Sequence, residues 1–185
     1  MSAADDRPYV FDTGPLSHFA QAGWLGLLRA LVGARQAWAP VPVLQEVAEG
    51  VEAYPHLRGV IEADWLTRRD VDSPAELEAF AKYASRLLGD DQHTNLGECG
   101  ALALGDANGG IVVIDDGAAR QVAAEYRVEV KTTVALLCDL VREGHLGLEL
   151  ASTVADDLLR TKFRLPFEEG GFRMFVIQND FLPYS

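Results

Sequence analysis

Short apolar runs bounded by turn residues alternate along this chain with longer stretches that carry helix start and stop signals. The clearest run is IVVI, residues 111–114, with ANGG before it and two aspartates after it. A continuous apolar run between turn signals suits a parallel strand covered on both faces. YVF at 9–11, AWAPV at 37–41, ADWLTRRDV at 63–71 and VEV at 128–130 read as further strands. After the first strand, Pro15 suits the first turn of a helix, where its missing N–H has no partner to lose, and Gly23 and Gly33 punctuate two short helices. Residues 42–50 start with proline and stop at glycine. Residues 73–89 carry a cap at Ser73, Pro74 after it, Glu76 completing a capping box, and Gly89 at the end. DDQHTN, 90–95, reads as a loop, and LGECGALALGDA, 96–107, as a small-residue helix with little polar surface and hence deep packing. Residues 117–126 and 132–145 read as helices, and 152–163 as a last one. FRMFVI, 172–177, reads as an extra edge strand or as a segment that docks on a partner. Strands alternating with helices predict an α/β fold with helices on both faces of a mainly parallel sheet.

The chain's 185 residues suffice for one domain with a real core and hardly for two. No apolar run is long enough to cross a bilayer, and the acidic start, MSAADDRPYV, lacks the apolar stretch of a secretory signal, so the cytoplasm is the expected location. Cys99 and Cys138 lie in helical stretches outside any Cys-x-x-Cys pair, which points to buried free thiols. The formal net charge of −12 argues against a broad basic nucleic-acid footprint and leaves room for a local one. RTKFR at 160–164, Arg120, Arg127 and Lys131 are cationic spots, and each taken alone reads as solvated surface charge.

In parallel sheets, sites form where strands end and helices begin. Asp12 follows the first strand, and Asp115 and Asp116 follow the central one. Glu46 falls on the helix after the second strand, and Glu98 on the first turn of the helix preceding IVVI. Each has a purely structural alternative. Asp12 could bond the next turn, Asp116 could cap a helix at Gly117, Glu98 could complete a capping box with Asn95, and Glu46 could be a solvated helix charge. Acid pairs also occur with no strand before them, as at Asp156-Asp157. Taken together, several carboxylates on one rim repel one another unless a divalent cation joins them. An oxygen-only set without His or Cys suits Mg²⁺ or Mn²⁺ and phosphodiester hydrolysis.

VFDTGPL, PVPVLQEVAEG, LGECGALALG and IVVIDDGAARQVAAEYRVEV, in that order and spacing along most of residues 8–145, resemble a PIN domain. The closest likeness is to a Gly-Glu / Asp-Asp group often compared with VapC-type toxins. The resemblance implies a three-layer α/β/α sandwich over one domain, with a core at about 8–145 and a C-terminal extension at about 150–185. It implies a Mg²⁺- or Mn²⁺-dependent endoribonuclease. Its acids would be Asp12, Glu46, Glu98 and Asp116, with Asp115 beside them. Asp12, Glu98 and Asp116 would hold metal, with Asp115 a further candidate ligand that the sequence does not separate from Asp116, and Glu46 would bind a metal-bound water or orient the nucleophile. Thr13, Ser17 and Arg120 would contact the phosphate backbone. Ser17 and Arg120 read equally well as helix surface and as a structural ion pair. The group's Gly-Thr after the fifth strand is replaced by KTTVALL, where Thr132 or Thr133 is expected to cap the helix and bond a metal-bound water or a phosphate. Lys131 has no explanation at that spot. RNA, a small antitoxin and a second copy of the chain are the partners the likeness suggests.

Other readings fit less well. A haloacid-dehalogenase-type phosphatase needs a second aspartate where Gly14 stands, and no Gly-x-Ser-x-Gly elbow or phosphate loop occurs. The serious rival is a silent PIN-fold module that binds a basic protein partner, which suits the negative charge.

Overall fold

The computed structural model describes residues 5–88 and 95–183. The loop expected at 90–95 and the glycine stop at 89 fall outside them, apart from Asn95. The strands β1 (Tyr9–Phe11), β2 (Ala37–Pro40), β3 (Thr67–Arg69), β4 (Ile111–Val113) and β5 (Val130–Lys131) form one parallel sheet in the order β3-β2-β1-β4-β5. Tyr9, Val10 and Phe11 pair with Ile111, Val112 and Val113, and Tyr9 and Val10 with Ala37 and Trp38.

The period-two alternation of strand side chains sorts the core into two layers. Tyr9, Phe11, Ile111 and Val113 point to one face. Against them pack α1 (Thr13–Gln21), α2 (Leu25–Val32), α3 (Val41–Gly50), α8 (Thr133–Arg142), α9 (Leu148–Arg160) and α10 (Phe172–Gln178). Val10, Val112 and Ile114 point to the other face, toward α5 (Pro74–Leu87), α6 (Leu96–Asn108) and α7 (Gly117–Glu125). A short 3-10 turn (Pro55–Leu57) and α4 (Arg58–Ile61) lead into the edge strand β3. The result is a three-layer α/β/α sandwich around an all-parallel sheet. No described helix is long and apolar enough to cross a membrane.

Local chemistry explains the elements. The capping box at Ser73 and Glu76 is formed in full. Gly109, at φ 64°, ends α6 in the left-handed region that glycine adopts without strain. α6 lies against the sheet as its composition predicts, and at Gly105 a Cβ would collide with the Val112 side chain. Cys99 and Cys138 are buried free thiols. Two readings are corrected. Residues 172–177 are helix α10, not an edge strand, with Phe172, Val176 and Ile177 buried at helical spacing. A short apolar run carries both periods, and packing on α9 selects the helix. The helix expected at 152–163 begins a turn earlier, at Leu148, and is not the last. Lys131 now has an explanation: its ammonium lies 2.6 Å from Asp139 Oδ2, a half-buried ion pair.

The order of strands reverses at β1, whose neighbours β2 and β4 lie on either side. The carboxyl ends of β1 and β4 therefore flank the switch point, where ligands bind in open α/β sheets.

Candidate active site

Asp12 leaves β1 with extended backbone (φ −82°, ψ 167°) and stands at the N-cap position of α1. Its side chain makes no cap hydrogen bond to α1. The residue is only 6% exposed. Its Oδ1 is the one fully buried side-chain nitrogen or oxygen among the described residues that has no hydrogen-bond partner. Burial first, then the charges of Glu98 and Glu46, push its pKa up to about 8, against the opposing pull of the Thr13 and Gly14 amides.

The other acids converge on this one from separate elements. Glu46 extends from α3, and Thr13 at the start of α1 donates its hydroxyl proton to Glu46 Oε2 at 2.6 Å. The start of α6 is wedged between them. A Cβ on Gly97 would come within 3.2 Å of Glu46 Oε1 and Val43 Cγ2 and 3.3 Å of Thr13 Oγ1. Glu98, in the first turn of α6, is half-buried, and its pKa is raised by burial and by the charges of Glu46 and Asp116. Its capping box with Asn95 does not form: Asn95 is left-handed, makes no side-chain cap, and donates to the Leu87 carbonyl instead. Asp116 caps α7, accepting from the Ala119 amide at 2.8 Å. The amino ends of α1, α6 and α7 thus meet at the acid rim, and their dipoles favour negative charge there.

Asp115 is bound differently. Its two oxygens accept from the Thr133 amide (2.9 Å) and the Thr133 hydroxyl (2.7 Å). Burial raises its pKa, the Thr133 bonds and the Arg120 charge oppose that, and none of the other four acids contributes. The two threonines divide their tasks: Thr132 caps α8 through the Ala135 amide, and Thr133 holds Asp115. Ser17 is buried within α1, so a helix-surface position does not describe it. Arg120 is exposed on α7 near Asp115 and has no ion-pair partner among the described residues, which removes the structural ion pair as its explanation.

Among the described residues, no three acids already stand in a metal-coordinating arrangement. Mg²⁺ asks for less, being held by one or two carboxylates with several waters retained. The orphaned Asp12 oxygen, its pKa raised first by burial and then by neighbouring carboxylates, and an all-oxygen donor set fit such a cation.

Residues the sequence did not single out for the site also reach the rim. His18, Lys162, Phe163 and Arg164 line a cavity of about 430 Å³ together with Asp115 and Asp116. The signal was the cationic spot at 160–164, which composition alone leaves as surface charge.

No curated protein and no solved structure matches the chain significantly. A family model described as PIN domain matches residues 8–169. PIN domains are a nuclease-type fold, generally acting on nucleic acid and usually with divalent metal. With that match spanning most of the sequence, over a parallel sheet whose switch point is rimmed by acids, the chain belongs to the PIN-domain family.

Proposed function

We propose that this protein is an endoribonuclease that hydrolyses RNA phosphodiester bonds with Mg²⁺ or Mn²⁺, acting as the toxin of a toxin–antitoxin pair. The observation that carries the reading is the buried, unpartnered Oδ1 of Asp12, set in the field of Glu98 and Glu46. A buried carboxylate short of donors is costly unless something from outside meets it. Asp12, Glu98 and Asp116 are the residues that would hold the cation. When bound, such an ion lowers the pKa of its water and clamps the oxygens of the scissile phosphodiester. Glu46, hydrogen-bonded by Thr13, would orient the attacking water and accept its proton. Asp115 is assigned a positioning role, tying the turn after β4 to the start of α8 through Thr133. Arg120 and Thr132 remain on the side where a phosphate would approach.

One observation favours a second reading. A net charge of −12 suits a basic protein partner better than free RNA, as in a silent binding module or a toxin held by a small antitoxin, alone or as a homodimer. The deciding experiment is cleavage of labelled single-stranded RNA in Mn²⁺ and in Mg²⁺, beside an EDTA control and Asp12→Asn. Cleavage abolished by both controls supports the nuclease. An intact strand in both metals, or an Asp12→Asn variant as fast as the parent, overturns it in favour of the binding module.

A further inference from the structure

The segment after α9 alternates in burial. Thr161, Phe163, Leu165 and Phe167 are half-buried, whereas Lys162, Arg164, Pro166 and Glu168 are exposed. The inward side chains fasten it down. His18 of α1 stacks on Phe163 with ring centroids 4.3 Å apart at 25°, and its Nδ1 lies 2.7 Å from the Thr161 hydroxyl. Leu165 and Phe167 pack against the core. Lys162 is held at φ 67°, a left-handed conformation that a residue with a side chain keeps only where its surroundings over-determine it. The outward side chains Lys162 and Arg164 are thereby carried to the acid rim.

Two cavities meet at this segment. The first, about 430 Å³, is the polar one between Lys162, Arg164, His18 and the Asp115–Asp116 pair. The second, about 420 Å³, has Leu165, Pro166, Phe175 and Phe181 on its apolar side and Arg120 and Thr132 on its polar side. Asp115 and Arg164 line both. The Phe175 and Phe181 rings are stacked, 6.1 Å apart and 25° from parallel. Lys131, Arg142, Arg160 and Arg173 are spent in ion pairs, but Arg120, Lys162 and Arg164 have none among the described residues.

Unpaired cations beside an aromatic cavity match the chemistry of single-stranded nucleic acid, which offers a phosphate to the one and an unstacked base to the other. A duplex keeps its bases stacked and cannot fill the cavity. We infer that Lys162 and Arg164, with Arg120, Phe175 and Phe181, form a nucleotide subsite beside the acid rim. The cations take a backbone phosphate, and the aromatic cavity takes a base of a single-stranded RNA. The choice of RNA rests on the ribonuclease reading. A local cationic strap also reconciles phosphate binding with an acidic chain, because the contacts are concentrated where the strand must lie.

The test is binding of a fluorescent single-stranded 12-mer RNA and its duplex, read by anisotropy over a salt series in Mg²⁺. The full chain carries Asp12→Asn so that the strand stays intact. Adding Lys162→Ala with Arg164→Ala is expected to weaken single-strand binding roughly tenfold or more. It should also flatten the slope of log K against log salt by about 1.4, two phosphate contacts at about 0.7 each. Phe181→Leu and Phe175→Leu, checked for folding by thermal melts, should weaken it several-fold with the slope unchanged, since stacking releases no counterions. Arg58→Ala, an exposed cation on α4 with no ion pair among the described residues, is the control and should change nothing. Variants that bind like this control, or a duplex bound as well as the single strand and equally sensitive to Phe181→Leu, overturn the subsite. So does a chain without affinity for any RNA. If the parent cleaves RNA while the strap variants bind normally, the subsite falls and the nuclease reading stands. If the strap variants lose RNA that the parent binds but never cleaves, the reverse holds.

Discussion

Two carboxylates at helix amino ends are almost wholly buried in this fold, and they are treated in opposite ways. Glu76, 2% exposed, opens α5. Its Oε1 accepts from Arg69 (3.0 Å) and Asn108 (2.9 Å), and its Oε2 from the amides of Ser73 (3.1 Å) and Asp72 (3.3 Å). Burial alone would raise its pKa, but the hydrogen bonds from Asn108 and from Ser73 and Asp72 overcome that and hold it at about 2. Asp12 opens α1 with its Oδ1 unpartnered and two more carboxylates in its field, and its pKa is pushed to about 8. A carboxylate that serves the fold is saturated by donors from the chain itself. One left short of donors at a sheet's switch point lacks that saturation, and the proposed cation is what would supply it.

The contrast is broken most sharply by removing each charge in turn. Asp12→Asn should lower RNA cleavage by about a thousandfold, the order of effect expected when several kcal/mol of cation chemistry is lost. The variant should fold normally, with the rate read on labelled RNA at fixed Mn²⁺. Glu76→Ala should do the opposite. It strands Arg69 and Asn108 and undoes the capping box, at about 3 kcal/mol, or a melting temperature lower by roughly 10 °C. Cleavage per folded molecule should stay within about twofold. Equal loss of activity in both variants would dissolve the distinction.

The pH dependence sharpens it further. Asp12 in the native state keeps a proton up to about pH 8, whereas the unfolded chain releases it near the ordinary value of 3.8. The native state therefore binds more protons between those limits, and the stability of the metal-free protein falls as pH rises through them. Asp12→Asn and the parent should melt together near pH 4. At pH 8 the variant should melt about 5 °C higher, for about 2 kcal/mol of relieved charge burial. Added Mg²⁺ should raise the parent at pH 8 and leave the variant unmoved. Glu76 runs the other way: its contribution is present above the ordinary value of 4.5 and is lost as pH falls toward 2. Melting curves at pH 4, 6 and 8, with and without EDTA, check all of this.

The two acids also differ in how legible they were. Glu76 was readable, because Ser-Pro-Ala-Glu before a helix has one common structural meaning, and it forms as read. The runs at β1, β2 and β4 were readable for the same reason, since parallel strands buried on both faces leave continuous apolar stretches, whereas the edge strands were less so: β3 is exposed at Thr67 and Arg68, and the strand expected at 128–130 overlaps β5 at Val130 alone. Asp12 was readable only as a position. Asp-Thr-Gly-Pro equally describes a capped turn, and nothing local says that the cap goes unmade. Asp115 and Asp116 were inseparable in sequence, because their difference lies in Thr133, 18 residues on from Asp115. The cationic strap was hidden similarly: whether Lys162 and Arg164 are ordinary surface charge depends on Phe163 meeting His18, a contact across most of the chain.

The smallest effect on stability should be the most telling about geometry. Gly97 stands where α6 slips between α1 and α3, and a methyl group there would sit 3.2 Å from Glu46 Oε1 and 3.3 Å from Thr13 Oγ1. Alanine is favoured over glycine by up to about 1 kcal/mol in a helix interior, and by less in the first turn, where Gly97 stands. A few tenths of an ångström of displacement against Val43 and the two site oxygens costs a similar amount. The terms oppose, so Gly97→Ala should melt within about 2 °C of the parent. The displacement nonetheless falls on the Thr13–Glu46 hydrogen bond, and misplacing a positioned group by less than an ångström is enough to slow chemistry. Cleavage should drop about tenfold in kcat with KM little changed, because the displacement falls on Glu46 and not on the cations proposed to hold the strand. A Gly97→Ala enzyme that retains full kcat would show that Glu46 needs no close alignment, and would return it to the solvated helix charge that its sequence position first suggested.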